Sequence, residues 1–128
     1  MTSAPQYMTS SWSRIREMYA DMAQNWEQLR AMVMLVKQIE QSELRSLCAW
    51  TSFTTLCIVQ TPVSYPYDGP YLCISPKFDG NIALGYVETR GKAGQMHQIA
   101  PQDAAFEELM RLVCQLHWLI DRNGSSAI

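Results

Sequence analysis

Residues 11–43 read SWSRIREMYADMAQNWEQLRAMVMLVKQIEQSE, and how this stretch is read decides the fold. Neither proline nor glycine interrupts residues 12–43, so the spacing predicts one long amphipathic helix. Ser10 or Ser11 is placed to cap it, a serine oxygen accepting from an orphan amide of the first turn. At about 100° per residue, Ile15, Met18, Met22, Trp26, Leu29, Val33 and Val36 fall on one stripe. Arg16, Glu17, Gln24, Glu27, Gln28 and Gln38 fall mostly opposite. The stripe also reads as a heptad through Ile15, Met18, Met22, Asn25, Leu29, Met32, Val36 and Ile39, with Asn25 as a polar seam residue that fixes register.

The pattern breaks at Ala31-Met32-Val33-Met34-Leu35-Val36, which is apolar all the way round. Such a segment asks for burial on two sides. One side is a sheet or another helix of the same chain. The other is either a partner subunit, with Met34 and Leu35 as candidate contacts, or more of the chain's own core. The run is far shorter than the roughly 20 apolar residues that cross a membrane.

Outward from the helix, the sequence changes character. Across residues 46–76, Asp68 is the only charged side chain. Trp50, Thr51, Phe53, Thr54, Thr55, Leu56, Ile58 and Val59 are the aromatic, β-branched and apolar types that suit a pleated surface, so a strand is expected over residues 53–60. Residues 44–50 fit either an earlier strand or a short continuation of helix, because a short apolar run is ambiguous by periodicity. Residues 61–70, TPVSYPYDGP, hold three prolines and an Asp-Gly pair and form a loop. Strands follow over 71–75 and 82–89, joined through Asp79-Gly80. After Arg90-Gly91-Lys92-Ala93-Gly94 comes a short strand over 95–99. Such short connections force antiparallel neighbours.

Pro101 and Asp103 open a last helix, expected to run to Arg122 and stop at Gly124. Phe106, Leu109, Met110, Val113, Leu116, His117 and Ile120 share its apolar face, widened by Leu112 and Leu119. The expected order is α-β-β-β-β-α: an α+β fold with a four-stranded antiparallel meander and helices packed on one face. Its other face is then solvated or covered by a partner, and the sparse charge of residues 46–76 favours covered.

A chain of 128 residues, 48% hydrophobic, forms one domain spanning residues 1–128, with residues 1–9 expected to fray and 125–128 a tail. Charged residues make up only 17%, against about 25% in an average soluble domain. A net charge of −2 argues against nucleic-acid binding, which needs a basic face for phosphates. The N-terminus shows no basic region followed by an apolar run, so a cytoplasmic chain is expected. Cys48, Cys57, Cys73 and Cys114 form no Cys-x-x-Cys pair and read as reduced thiols.

Few constellations carry chemistry. Cys114, His117 and Asp121 stand three and four residues apart on the last helix, spacing that would align a nucleophile with a base or part of a metal site. His117 falls on the apolar face, where a core histidine is the plainer reading. His97, in the last strand, has Cys73 or Cys57 as imaginable partners across the sheet. Arg90-Gly91-Lys92-Ala93-Gly94 has the glycines and cations of a phosphate cradle, yet it lacks a P-loop ending and leads into a strand. No cofactor, metal site or catalytic residue is assigned.

Binding is better represented. Tyr65, Tyr67 and Tyr71 sit on a proline-stiffened loop, giving large aromatic area at low entropic cost. Trp118 is expected to point away from the apolar face, near Arg122, either as a cation–π pair or as an interface anchor. The function expected is therefore a non-catalytic protein-binding module of chaperone, adaptor or inhibitor/immunity type, a small homodimer and/or a binder of another protein, with no nucleic-acid or membrane partner. The competing expectation is a small-molecule-binding domain or minor enzyme. It would use an apolar pocket between helix and sheet, lined by Met18, Met22 and Met110, with Cys114/His117 or His97.

Overall fold

In the computed structural model, residues 7–65, 67, 69–88 and 97–119 are described. They form an α+β fold in which an antiparallel meander of five strands, in the order β1-β2-β3-β4-β5, carries three α-helices. The strands are β1 Cys48–Ser52, β2 Thr55–Val59, β3 Tyr71–Pro76, β4 Asn81–Val87 and β5 His97–Pro101; the helices are α1 Trp12–Ala23, α2 Arg30–Glu40 and α3 Ala105–Gln115. The extra strand is Cys48–Ser52, which takes up only the end of the 44–50 stretch. A 3-10 turn at Glu43–Ser46 leads directly into β1, which the turn at Phe53 and Thr54 folds back onto β2.

The single long helix predicted over residues 11–43 is instead a helical hairpin. Ser11 caps α1 as expected, its Oγ accepting from the Arg14 amide at 3.2 Å. The helix ends after Ala23, Trp26 takes extended backbone (φ −131°, ψ 105°), and a 3-10 turn over Glu27–Leu29 starts the return. Size explains the break. A continuous helix over that span would be roughly 50 Å long, whereas a strand of five to seven residues reaches only about 17–24 Å. Only by doubling back do both halves bury against so short a sheet. Asn25 and Trp26 are exposed at the reversal, so Asn25 is a turn residue and not a seam residue.

Side-chain hydrogen bonds lock the layers. Trp12 Nε1–H donates to the Leu47 carbonyl at 3.0 Å and the Tyr19 hydroxyl donates to the Thr54 carbonyl at 2.8 Å, so α1 runs alongside β1 in the same direction. Burial pushes the Tyr19 phenol above its ordinary range. The Arg16–Glu40 ion pair, 3.0 Å, ties the start of α1 to the end of α2. Helix α2 also packs against α3, and α3 against β5, where Gln98 Nε2 donates to Glu108 Oε2 at 3.1 Å.

The core fills the space between the helices and one face of the sheet. Ala49, Leu56, Ile58, Leu72, Ile74, Ile82, Leu84 and Ala100 point into it from the strands; Ile15, Tyr19, Met32, Leu35, Val36, Ile39, Leu109 and Val113 meet them from the helices. The all-round apolar run of α2 is thus mostly covered by its own chain: Ala31, Met32, Leu35 and Val36 are buried and Val33 is half-buried. Met34 alone stands out, 59% exposed.

Helix α3 stops at Gln115, well short of Arg122. His117 takes left-handed backbone (φ 58°), its amide donating to the Cys114 carbonyl at 3.1 Å, while the Trp118 amide reaches back to the Val113 carbonyl at 3.2 Å. This pair of bonds is a Schellman C-cap, with histidine in the place glycine usually takes. Gly124, the expected stop, lies outside the described residues, as do Ile120, Asp121 and Arg122.

Candidate functional site: the open face of the sheet

Side chains alternate across a strand, so the strand register assigns each face. Opposite the helices stand Cys48↔Val59, Trp50↔Cys57 and Ser52↔Thr55 between β1 and β2, then Cys57↔Cys73 between β2 and β3. The face continues through Tyr71↔Val87, Cys73↔Gly85 and Ser75↔Ala83, and ends with Asn81↔Pro101, Ala83↔Ile99 and Gly85↔His97. None of these strand positions is Asp, Glu, Lys or Arg. A sheet face turned to water normally carries such residues. Among the side chains described on this face, only Cys57 and Val59 are buried; Trp50, Tyr71, Cys73, Ala83 and Val87 are half-buried and Ile99 is 51% exposed.

Three aromatic rings gather at one side of this face. Trp50 meets Tyr71 at 5.5 Å between ring centroids and Tyr67 at 6.1 Å, edge to face; Tyr67 and Tyr71 are 6.5 Å apart. The Tyr67 hydroxyl donates to the Pro70 carbonyl at 2.8 Å, pinning the ring over its own loop. Burial pushes the Tyr67 phenol up. Gly69 closes the loop against the end of β4: its φ is +122°, and a Cβ there would lie 2.6 Å from the Glu88 carbonyl oxygen. Tyr65 projects from the loop, 79% exposed.

The remaining sequence candidates fall elsewhere. Leu35 is buried in the core, and Met34 projects from the helix layer, away from the tyrosines. Trp118 is also buried, its ring 6.2 Å from that of Tyr86. The early end of α3 turns it inward, so it does not project beside Arg111 and Gln115 as helical spacing had predicted. Trp50, missed in the sequence, joins the tyrosines; the parity of Cys48, Trp50 and Ser52 within one strand was the signal for it.

The catalytic alternatives lose their alignment. Cys114 is half-buried near the end of α3, and His117 is exposed in the cap beyond it, so helical spacing no longer sets their relation. His97 stands opposite Gly85, which puts a whole strand between it and Cys73, about 9–10 Å at the usual strand spacing. The Arg90–Gly94 turn lies outside the described residues. Met18, Met22 and Met110 pack as partly buried side chains against the core. One open groove runs past Glu27, Arg30, Phe78 and Gln102, another past Arg14, Met18, Asp21 and Thr51, and neither is lined by cysteine or histidine. Among the described residues there is no group of three His, Cys, Asp or Glu placed to hold a metal ion, and no helix is long and apolar enough to cross a membrane.

Compared with protein-family models, with curated proteins and with solved structures, the chain gives no match. Its functional reading therefore rests on the geometry of the open face.

Proposed function

We propose that the chain is a non-catalytic protein-binding module that works as a homodimer, two copies meeting through the open faces of their sheets. The observation that carries this reading is the absence of Asp, Glu, Lys and Arg from every strand position on that face. In a two-fold contact the same surface meets itself, so each charge would approach its own image. A face without charge has no such penalty, and its half-exposed Trp50, Tyr71, Val87 and Ile99 gain from being covered.

Size supports the same reading. Five strands about 4.8 Å apart and about 17 Å long give a patch of roughly 400 Å² in plan. Two such patches bury on the order of 1,000 Å² of accessible surface, the lower end for a specific interface. The Trp50, Tyr67 and Tyr71 cluster supplies the rigid aromatic anchors that dominate binding energy, and Tyr65 stands ready to contact the partner beyond the rim.

Sedimentation at micromolar concentration tests this. The expected mass is twice the 14.6 kDa of one chain, with Ile99→Glu sedimenting as a monomer. A wild-type chain that stays monomeric at every concentration it tolerates overturns the homodimer, as does a dimer indifferent to Ile99→Glu and to Trp50→Ala.

A further inference from the structure

We propose that Cys57 and Cys73 form a dithiol site that closes into an intramolecular cross-strand disulfide by exchange with a low-molecular-weight disulfide of the glutathione type. The pair is not assembled by a flexible loop. Cys57 in β2 and Cys73 in β3 are direct partners in the antiparallel register, both on the open face. Directly opposed residues in such a ladder have Cα atoms about 4.5–5.5 Å apart, inside the roughly 4.4–6.8 Å that a disulfide bridges. The two thiols are also close enough to shift each other in opposite directions.

The other thiols do not share this geometry. Cys48 is on the same face but opposite Val59, which leaves it diagonal to Cys57, at about 7–8 Å. Cys114 belongs to α3, across the sheet. All four cysteines are free in this structure.

The pair is also asymmetric in a way that assigns the two steps. Cys57 is only 5% exposed, whereas Cys73 is half-exposed. Its interaction with the neighbouring Cys57 thiol holds the Cys73 thiol below its ordinary range, against the opposing effect of burial, while the same interaction and then burial hold Cys57 above it. The thiolate is the attacking species, so Cys73 goes first. Its sulfur attacks one sulfur of oxidised glutathione, the glutathione S–S bond breaks, one glutathione thiolate leaves, and a mixed disulfide forms on Cys73. Cys57 then gives its proton to the departed thiolate and attacks the Cys73 sulfur. The mixed disulfide breaks, the Cys57–Cys73 bond forms, and the second glutathione leaves as a thiolate that takes up the proton lost earlier from Cys73. Two protein thiols are oxidised and one glutathione disulfide is reduced to two thiols, with no other oxidant involved.

The proposal does not depend on self-association, and its test reads a bond, not a mass in solution. The full chain, diluted until the subunits are held apart, is equilibrated with mixtures of reduced and oxidised glutathione, quenched in acid, alkylated and mapped by mass spectrometry. Oxidation is expected to remove two hydrogens and protect two of the four thiols, with one linked peptide pair joining Cys57 to Cys73. Cys57→Ser is expected to stop at a single glutathione adduct on Cys73, and Cys73→Ser to give neither adduct nor bridge. In the reduced protein Cys73 should be alkylated at least about tenfold faster than Cys57, as its greater exposure and thiolate character require. Four thiols that remain alkylatable in every mixture overturn the proposal. So does a bridge through Cys48 or Cys114, or one joining two chains.

Discussion

The two faces of the sheet use the same strands and differ in what completes them. On the helix side, Leu56, Ile58, Leu72, Ile74, Ile82 and Leu84 are all but fully buried beneath three helices of the same chain. On the other side, the alternate residues of the same strands are equally free of charge, yet most are only half-covered. A chain that meant this face for water would set Lys or Glu along it. Here, apart from the His97 position, the polar residues are Ser52, Thr55, Ser75 and Asn81, near one end of the strands. The Thr55 and Ser75 hydroxyls satisfy each other at 3.0 Å. The contrast separates what folds the chain from what is left for another molecule.

The sharpest way to break that contrast is to cut one residue from each face. Ile74→Ala, on the covered face, is expected to cost about 2–5 kcal/mol, the transfer term plus the cavity it leaves. Ile99→Ala, on the open face, should leave the isolated subunit within about 0.5 kcal/mol of the parent. Urea unfolding at a concentration low enough to hold the subunits apart measures both. Equal losses would mean that the open face is already sealed within one chain.

Gly69→Ala comes next. The left-handed backbone and the Glu88 carbonyl both oppose a methyl group there, so a loss of about 2 kcal/mol is expected. Because Gly69 seats the loop that bears Tyr67, fluorescence from Trp50 should change along with stability. A stability loss with unchanged Trp50 emission would separate the loop from the aromatic cluster. Ile99→Glu is smaller on the energy scale but aimed at function. It places a charge opposite its two-fold image and should weaken dimerisation at least about tenfold, or about 1.4 kcal/mol, read by sedimentation across a dilution series.

The same two faces show how much was written in the sequence. Prolines and Asp-Gly pairs mark the ends of β2, β3 and β4, so the meander was legible from Gln60 onward. The first hairpin was not, because its turn is Phe53-Thr54, with neither glycine nor proline to announce it. Both helix ends were hidden for the same reason. Ala23 is followed by Gln24, Asn25 and Trp26, and α3 is closed by His117 in a conformation that usually calls for glycine. Periodicity continues across a reversal of this kind, because both arms of a helical hairpin still present apolar residues to one sheet. The open face was legible as a shortage of charge over residues 46–76. Its make-up was not, because assigning Trp50 and the Cys57–Cys73 pair to it requires the register between strands.

Phe53 gives the smallest effect and a direct probe of the comparison, since it belongs to neither face. It occupies the first central position of the two-residue turn between β1 and β2 with φ 56°, and it is 94% exposed. A left-handed conformation costs a residue with a Cβ about 1–2 kcal/mol, and an exposed ring recovers none of that through burial. Glycine is the residue such a turn favours, although its extra freedom in the unfolded chain returns part of the gain. Phe53→Gly is therefore expected to raise stability by about 0.5–1 kcal/mol, measured by the urea midpoint at unchanged slope, and to leave the dimer intact. A loss of stability would show that the ring is packed in solution. A gain in stability accompanied by weaker dimerisation would extend the docking surface from the open face to the hairpin tip, and would give the strained phenylalanine a use that folding alone does not supply.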